Sequence, residues 1–227
     1  MKESGVNKAF GFFGKVPGHG DFIERGLPQH FISALDDWLR GAISCSKGAL
    51  GDDWLANYLT CPLWRFGFGE GALDKHQWLG VLCPSVDSVG RYFPLVIASR
   101  LQQGNIFAAF QKNVRWFQAV EELAIAVLEN SLTADQIENR LKDMDPIVED
   151  DNKPSKIEQY GWLVNGASAE AYGHLLSMNQ TQSAVSVWET LGGENQSATT
   201  FVAKSMPPAH YYTLFLTGRW QLQEHTF

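Results

Sequence analysis

The apolar positions of this chain change period several times, and each change predicts an element. Residues 9–14 place Phe10, Phe12 and Phe13 in a short apolar run that predicts a first strand. After Pro28, Phe31, Leu35, Trp38, Leu39 and Ile43 recur at spacings of three and four, the stripe of an amphipathic helix with Gly48 as its stop. Trp54, Leu55, Tyr58 and Leu59 predict a second, short helix over residues 53–59, closed before Pro62. Residues 63–68, 77–83 and 93–99 read as three strands. Asn105 caps a predicted long helix carrying Phe107, Phe110, Val114, Phe117, Leu123, Ala124, Val127 and Leu128. Thr133 and Gln136 have the spacing of a capping box before Ile137, Leu141 and Met144. Further strands are expected at 162–164, 185–189 and 200–203, and further helices at 169–178 and 208–216.

Short connections between several strands favour antiparallel neighbours, while helices separate others. The expected fold is therefore α/β, a three-layer α/β/α sandwich around a mixed, largely antiparallel sheet. Charge, Pro and Asn cluster at residues 145–155, the best linker candidate. The C-terminal strands are too few for a second sheet, so we expect one domain over residues 1–227 with an acidic surface linker, the alternative being a split near Asp150.

Composition restricts the partners. Eight Trp and fourteen Phe among 227 residues suit a large core and argue against disorder. The net charge is −7, which disfavours nucleic acid or an anionic membrane as partner. Residues 135–151 hold seven acids against two bases, so most of the chain is close to neutral, and this run is either a partner site or a solvated face. Cys45, Cys61 and Cys83 form no CxxC and are read as reduced thiols. The opening residues lack the apolar core of a signal peptide and no run reaches a membrane span, so a cytoplasmic protein without membrane insertion is expected.

The chemistry lies in two polar loops set among apolar residues, within 11–28 (GFFGKVPGHGDFIERGLP) and 83–95 (CPSVDSVGRYFPL). The first holds the glycines and the lysine of a phosphate cradle but fails the P-loop pattern, because Lys15 precedes Gly18 and Gly20 and no Ser or Thr follows it. The structural alternative is that Gly18 and Gly20 supply positive φ while Asp21 accepts backbone hydrogen bonds. In the second loop Ser85 has no nucleophile elbow around it. Asp87 is expected to cap backbone N–H groups, and Arg91 to pair with Asp21 or Asp87. The six histidines show no metal-ligand spacing, so no metal or cofactor is assigned. Strand alternation around Trp64 and Phe66 turns Arg65 outward, although a cation over an aromatic ring is the other reading of that triplet.

Taken in order, these residues carry a resemblance. Gly11, Gly14, Lys15, Gly20, Asp21, Phe22, Arg25, Gly26, Leu27 and Pro28 resemble the opening of the TagF (ImpM) family of type VI secretion-associated proteins. Trp64, Arg65 and Phe66, then Pro84, Ser85, Val86 and Asp87, then the run from Val89 through Gly90, Arg91 and Tyr92 to Leu95 are similar too. Ser186, Val187 and Trp188 and the closing Gly218, Arg219 and Trp220 extend the likeness over nearly the whole chain, with Thr217 standing where the family tends to place an acid.

The resemblance implies a cytoplasmic, non-enzymatic accessory factor that represses type VI secretion post-translationally. It would act on the forkhead-associated scaffold protein, Fha, in opposition to a threonine-phosphorylation pathway. Some relatives carry a fused phosphatase domain, and none is expected in this sequence. It supplies no catalytic residues. Lys15, Asp21, Arg25, Ser85, Asp87 and Arg91 are the expected partner-binding or loop-organising residues, with the two loops close together at one sheet edge and Lys15, Asp21, Ser85, Asp87 and Arg91 sharing a polar network. The competing class is a small hydrolase or phosphate-ligand-binding enzyme built on residues 14–21 and 85–91 with Lys15, His19, Ser85 and Asp87.

Overall fold

Alternation along the strands sorts their side chains onto two faces, and each face meets its own set of helices. The computed structural model describes residues 10–149, 155–157, 161–163 and 184–220. Its strands are β1 (Phe10–Gly14), β2 (Ile23–Arg25), β3 (Trp64–Phe68), β4 (Gln77–Cys83), β5 (Leu95–Leu101), β6 (Ser155–Ile157), β7 (Gly161–Leu163), β8 (Val185–Thr190) and β9 (Thr199–Lys204). Seven form one sheet in the order β2-β1-β5-β4-β3-β8-β9, and β6 pairs with β7 separately. All pairings among these strands are antiparallel. β8 and β9 follow the acidic segment yet extend the sheet begun before it.

The helices are α1 (Gln29–Leu50), α2 (Trp54–Thr60), α3 (Ile106–Lys112), α4 (Val114–Asn130), α5 (Ala134–Lys142) and α6 (Tyr212–Thr217). Phe12, Leu79, Val81, Leu95, Ile97 and Val187 pack under α3, α4 and α5 through Phe110, Phe117, Val120 and Ile137. Their strand neighbours Phe13, Trp78, Val96 and Trp188 point the other way, onto Phe31 and Leu35 of α1, Tyr58 of α2 and Phe215 of α6. The expected three-layer sandwich is the structure observed.

Where element boundaries depart from the sequence reading, single residues explain them. α1 runs past Gly48, which keeps a helical backbone, and ends at Gly51, whose φ of 54° suits glycine. The long helix predicted after Asn105 is two helices. Asn105 caps α3 as expected, accepting from the Phe107 and Ala108 amides. Buried Asn113 then breaks the run: its side chain donates to the Ala109 and Val148 carbonyls and accepts from the Val148 amide at 2.7 Å. The chain is thereby fastened down at Val148, near the end of the acidic run, and Glu149 accepts from the Gln102 and Gln103 amides, both at 2.8 Å. The Thr133 and Gln136 capping box is present. The helix expected over 169–178 lies outside the described residues.

Arg65 is not turned outward. It sits buried beneath α4, where its guanidinium holds Glu121 through Nε and Nη2 at 2.7 and 2.8 Å, reaches Glu189 at 3.0 Å, and lies 5.5 Å from the Phe117 ring. Alternation is intact; the face opposite Trp64 and Phe66 is simply a second helix-covered face rather than solvent. Among the described residues no helix is long and apolar enough to cross a membrane.

Candidate functional site

Sheet register brings the two polar loops together. Gly14, the last residue of β1, is paired with Leu95, the first of β5, and has φ 136°. A Cβ there would stand 2.1 Å from the Pro94 carbonyl oxygen, so only glycine allows this approach. Lys15 is carried directly under the loop that joins β4 to β5. Its ammonium donates to Asp87 Oδ2 at 2.5 Å, with both side chains buried.

Asp87 is the centre of the arrangement. Oδ2 also accepts from Arg91 Nε at 2.7 Å, and Oδ1 accepts from the Arg91 and Val89 amides at 2.8 and 3.0 Å. An ionised carboxylate offers about four acceptor positions, and here each is taken by this chain's own donors. Burial alone would raise the carboxyl, but the Lys15 ammonium, the Arg91 amide and guanidinium and the Val89 amide outweigh it and hold it well below the ordinary 3.8. A carboxylate held so low is a poor general base near neutral pH.

The surroundings are equally committed. Arg91 donates onward to the Gly20 carbonyl, and the Ser88 amide donates to His19 O at 2.9 Å, so the second loop clasps the first. Tyr58 of α2 closes the structure from beneath: its hydroxyl donates to Ser85 O and accepts from Ser85 N, each at 2.9 Å. Ser85 is buried and its Oγ has no hydrogen-bond partner among the described residues. His19 Nε2 accepts from the Ala134 amide at the start of α5, at 2.9 Å. The serine and the histidine of the hydrolytic reading are not joined.

Lys15, Asp87 and Arg91 therefore meet as expected, with Ser85 contributing its main chain, and Arg91 chooses Asp87 over Asp21. Asp21 stays exposed and accepts only from the adjoining Phe22 amide, at 2.9 Å, among the described residues. Arg25 lies on β2 beside a separate pocket of about 260 Å³ that Glu138 and Lys142 also line. Gly18 and Gly20 are not at positive φ; Gly18 is required because a Cβ would stand 2.5 Å from the Ser131 carbonyl oxygen.

Two features escaped the sequence reading. Phe22 lies against Phe13 and Phe93 at ring distances of 5.8 and 4.9 Å, with Lys15 Nζ 4.9 Å from its own ring centre, and is still 37% exposed. With Val89, 67% exposed, and the half-exposed Arg91 side chain it forms the outer rim of the clasped loops. The second is a cluster at the other end of β4, where His30, Asp74 and His76 come together. Their separation in the chain hides this group from any spacing rule.

Comparison with known proteins bears on the same residues. The family profile described as the TagF N-terminal domain, type VI secretion system-associated, matches residues 11–144. No curated protein matches the chain. Among solved structures, the chain is similar to that of PA0076 from Pseudomonas aeruginosa PAO1, at 32% sequence identity and a TM-score of 0.80, over 94% of this chain and 96% of that one.

Proposed function

The chain belongs to the TagF family of type VI secretion-associated proteins, and from that premise we propose that it is a cytoplasmic, non-enzymatic regulator that restrains secretion by binding the forkhead-associated scaffold protein, Fha. The observation that carries this reading is the saturation of Asp87. A carboxylate whose acceptor positions are filled by Lys15, Val89 and Arg91 gives shape to two loops and leaves nothing over for a substrate proton. The buried charges act as the frame, and the exposed Phe22, Val89 and Arg91 are the groups presented to a partner.

Direct binding of purified Fha scaffold to the wild type and to Val89→Asp and Arg91→Ala tests the reading, with circular dichroism as the check on folding. Val89 contributes only its amide to the Asp87 node, so its side chain can be changed without dismantling the loop. We expect binding by the wild type and at least a tenfold loss in each variant, the size of a contact worth about 1.4 kcal/mol. A wild type that does not bind the scaffold ends the regulator reading. Variants that bind like the wild type move the interface off this face.

A further inference from the structure

His30 is the second residue of α1, and Asp74 and His76 precede β4, so the fold joins a helix start to the loop before a strand. One ligand atom from each of the three lies within 4.8 Å of the others. His30 Nε2 stands 3.2 Å from Asp74 Oδ2, and His76 Nδ1 stands 3.6 Å from Asp74 Oδ1. Two ligands at zinc distance and tetrahedral angle are about 3.3 Å apart; each histidine stands near that distance from one Asp74 oxygen, His30 from Oδ2 and His76 from Oδ1, and the 4.8 Å limit on the set means the side chains close by a small rotation around an ion.

We propose that His30, Asp74 and His76 form a binding site for a divalent transition metal ion, with zinc as the fitting occupant. Two imidazoles and one carboxylate are a borderline-soft donor set with a single negative charge. His76 Nδ1 is buried and has no hydrogen-bond partner among the described residues, a condition that is costly without a ligand.

The carboxylate is already oriented. Asp74 Oδ1 accepts from the His76 amide at 2.7 Å and from the Trp78 indole N–H at 3.1 Å, which also reaches Oδ2 at 3.2 Å. Such outer partners fix a ligand before the metal arrives. His30 is half exposed and gives the ion its entry, and three protein ligands leave a fourth position for water or for a side chain of a partner. Arg100 and Lys75 add positive charge nearby, so moderate rather than tight affinity is expected. The bound ion ties the first turn of α1 to the β3–β4 loop. β4 separates this site from Asp87 by about 20 Å of strand, and the proposal stands apart from the scaffold-binding reading.

Calorimetric titration of chelator-treated protein with zinc chloride tests it, alongside cobalt(II) absorption spectra. We expect one equivalent bound by the wild type, ligand-field bands with cobalt, and a rise in Tm of about 5–10 °C at a hundredfold excess over Kd. His30→Ala should weaken binding at least tenfold and abolish the bands, while His210→Ala, at an exposed histidine elsewhere, should not. The His30 side chain is half exposed, so its truncation costs little packing, and the metal-free Tm of the variant, expected near that of the metal-free wild type, keeps the test independent of folding. A wild type with no saturable binding near one equivalent, or His30→Ala binding like the wild type, overturns the proposal. Either result leaves an ordinary histidine–aspartate hydrogen bond as the account of the cluster.

Discussion

Removing one buried oxygen, in Tyr58→Phe, measures how strongly the frame of the clasped loops is held. The ring keeps its stack on Trp54, with centroids 4.8 Å apart, so packing changes little. What is lost is the hydroxyl that serves both main-chain groups of Ser85. The Ser85 carbonyl still accepts from the Phe93 amide at 3.1 Å, so there the cost is one ordinary hydrogen bond, about 0.5–1.5 kcal/mol. The Ser85 amide keeps no partner among the described residues, and an orphaned buried donor costs about 1–3 kcal/mol. Together these give about 2–4 kcal/mol. For a chain of this size that lowers Tm by roughly 5–12 °C. Urea unfolding and calorimetry on wild type, Tyr58→Phe and Tyr92→Phe provide the measurement. Among the described residues the Tyr92 hydroxyl bonds neither group of Ser85, so that control should stay near wild type. A Tyr58→Phe loss below about 0.5 kcal/mol would refute the reasoning, since water would then be satisfying Ser85 within the frame.

Acid should act through Asp87. The unfolded carboxyl takes up its proton near 3.8 while the folded one resists to lower pH. The stability it contributes is complete above that value and is lost as pH falls through and below it, so urea midpoints between pH 5 and pH 3 should drop more steeply in wild type than in Asp87→Asn; parallel slopes would count against the node. Arg65→Met should cost about 2–4 kcal/mol, somewhat under the figure for a fully buried pair, because Glu121 and Glu189 keep partial contact with water. Adding Glu121→Gln should recover at least about 1 kcal/mol, as expected of coupled charges, and strict additivity would refute the coupling.

The chain spelled out its periodic elements and its local hydrogen bonds. β4 has the bounds its apolar run predicts, and Asn105 and the Thr133 capping box act within a turn of themselves. What depended on distant residues was not legible. Asn113 interrupts a continuous helical stripe because its partner is Val148, and nothing near Asn113 announces that bond. Arg65 looked solvent-facing because alternation fixes which face a residue occupies and not what covers it. Within the site, the residue types of Lys15, Asp87 and Arg91 marked polar loops, while the pairing required the β1–β5 register. β2, only three residues long, offers too little pattern to read.

The antiparallel pairing of β3 with β8 has a consequence for synthesis. Arg65 waits for Glu189 and Phe68 for Ser186, partners roughly 120 residues later in the chain. At about 5–20 residues per second a ribosome takes roughly 6–24 s to cover that interval. During it Trp64, Phe66 and Phe68, buried in the finished protein, stand on an open strand edge beside β4. The nascent chain is thus at its most aggregation-prone after most of the sheet has been made, and a shielding chaperone is most useful just before residues 185–190 emerge.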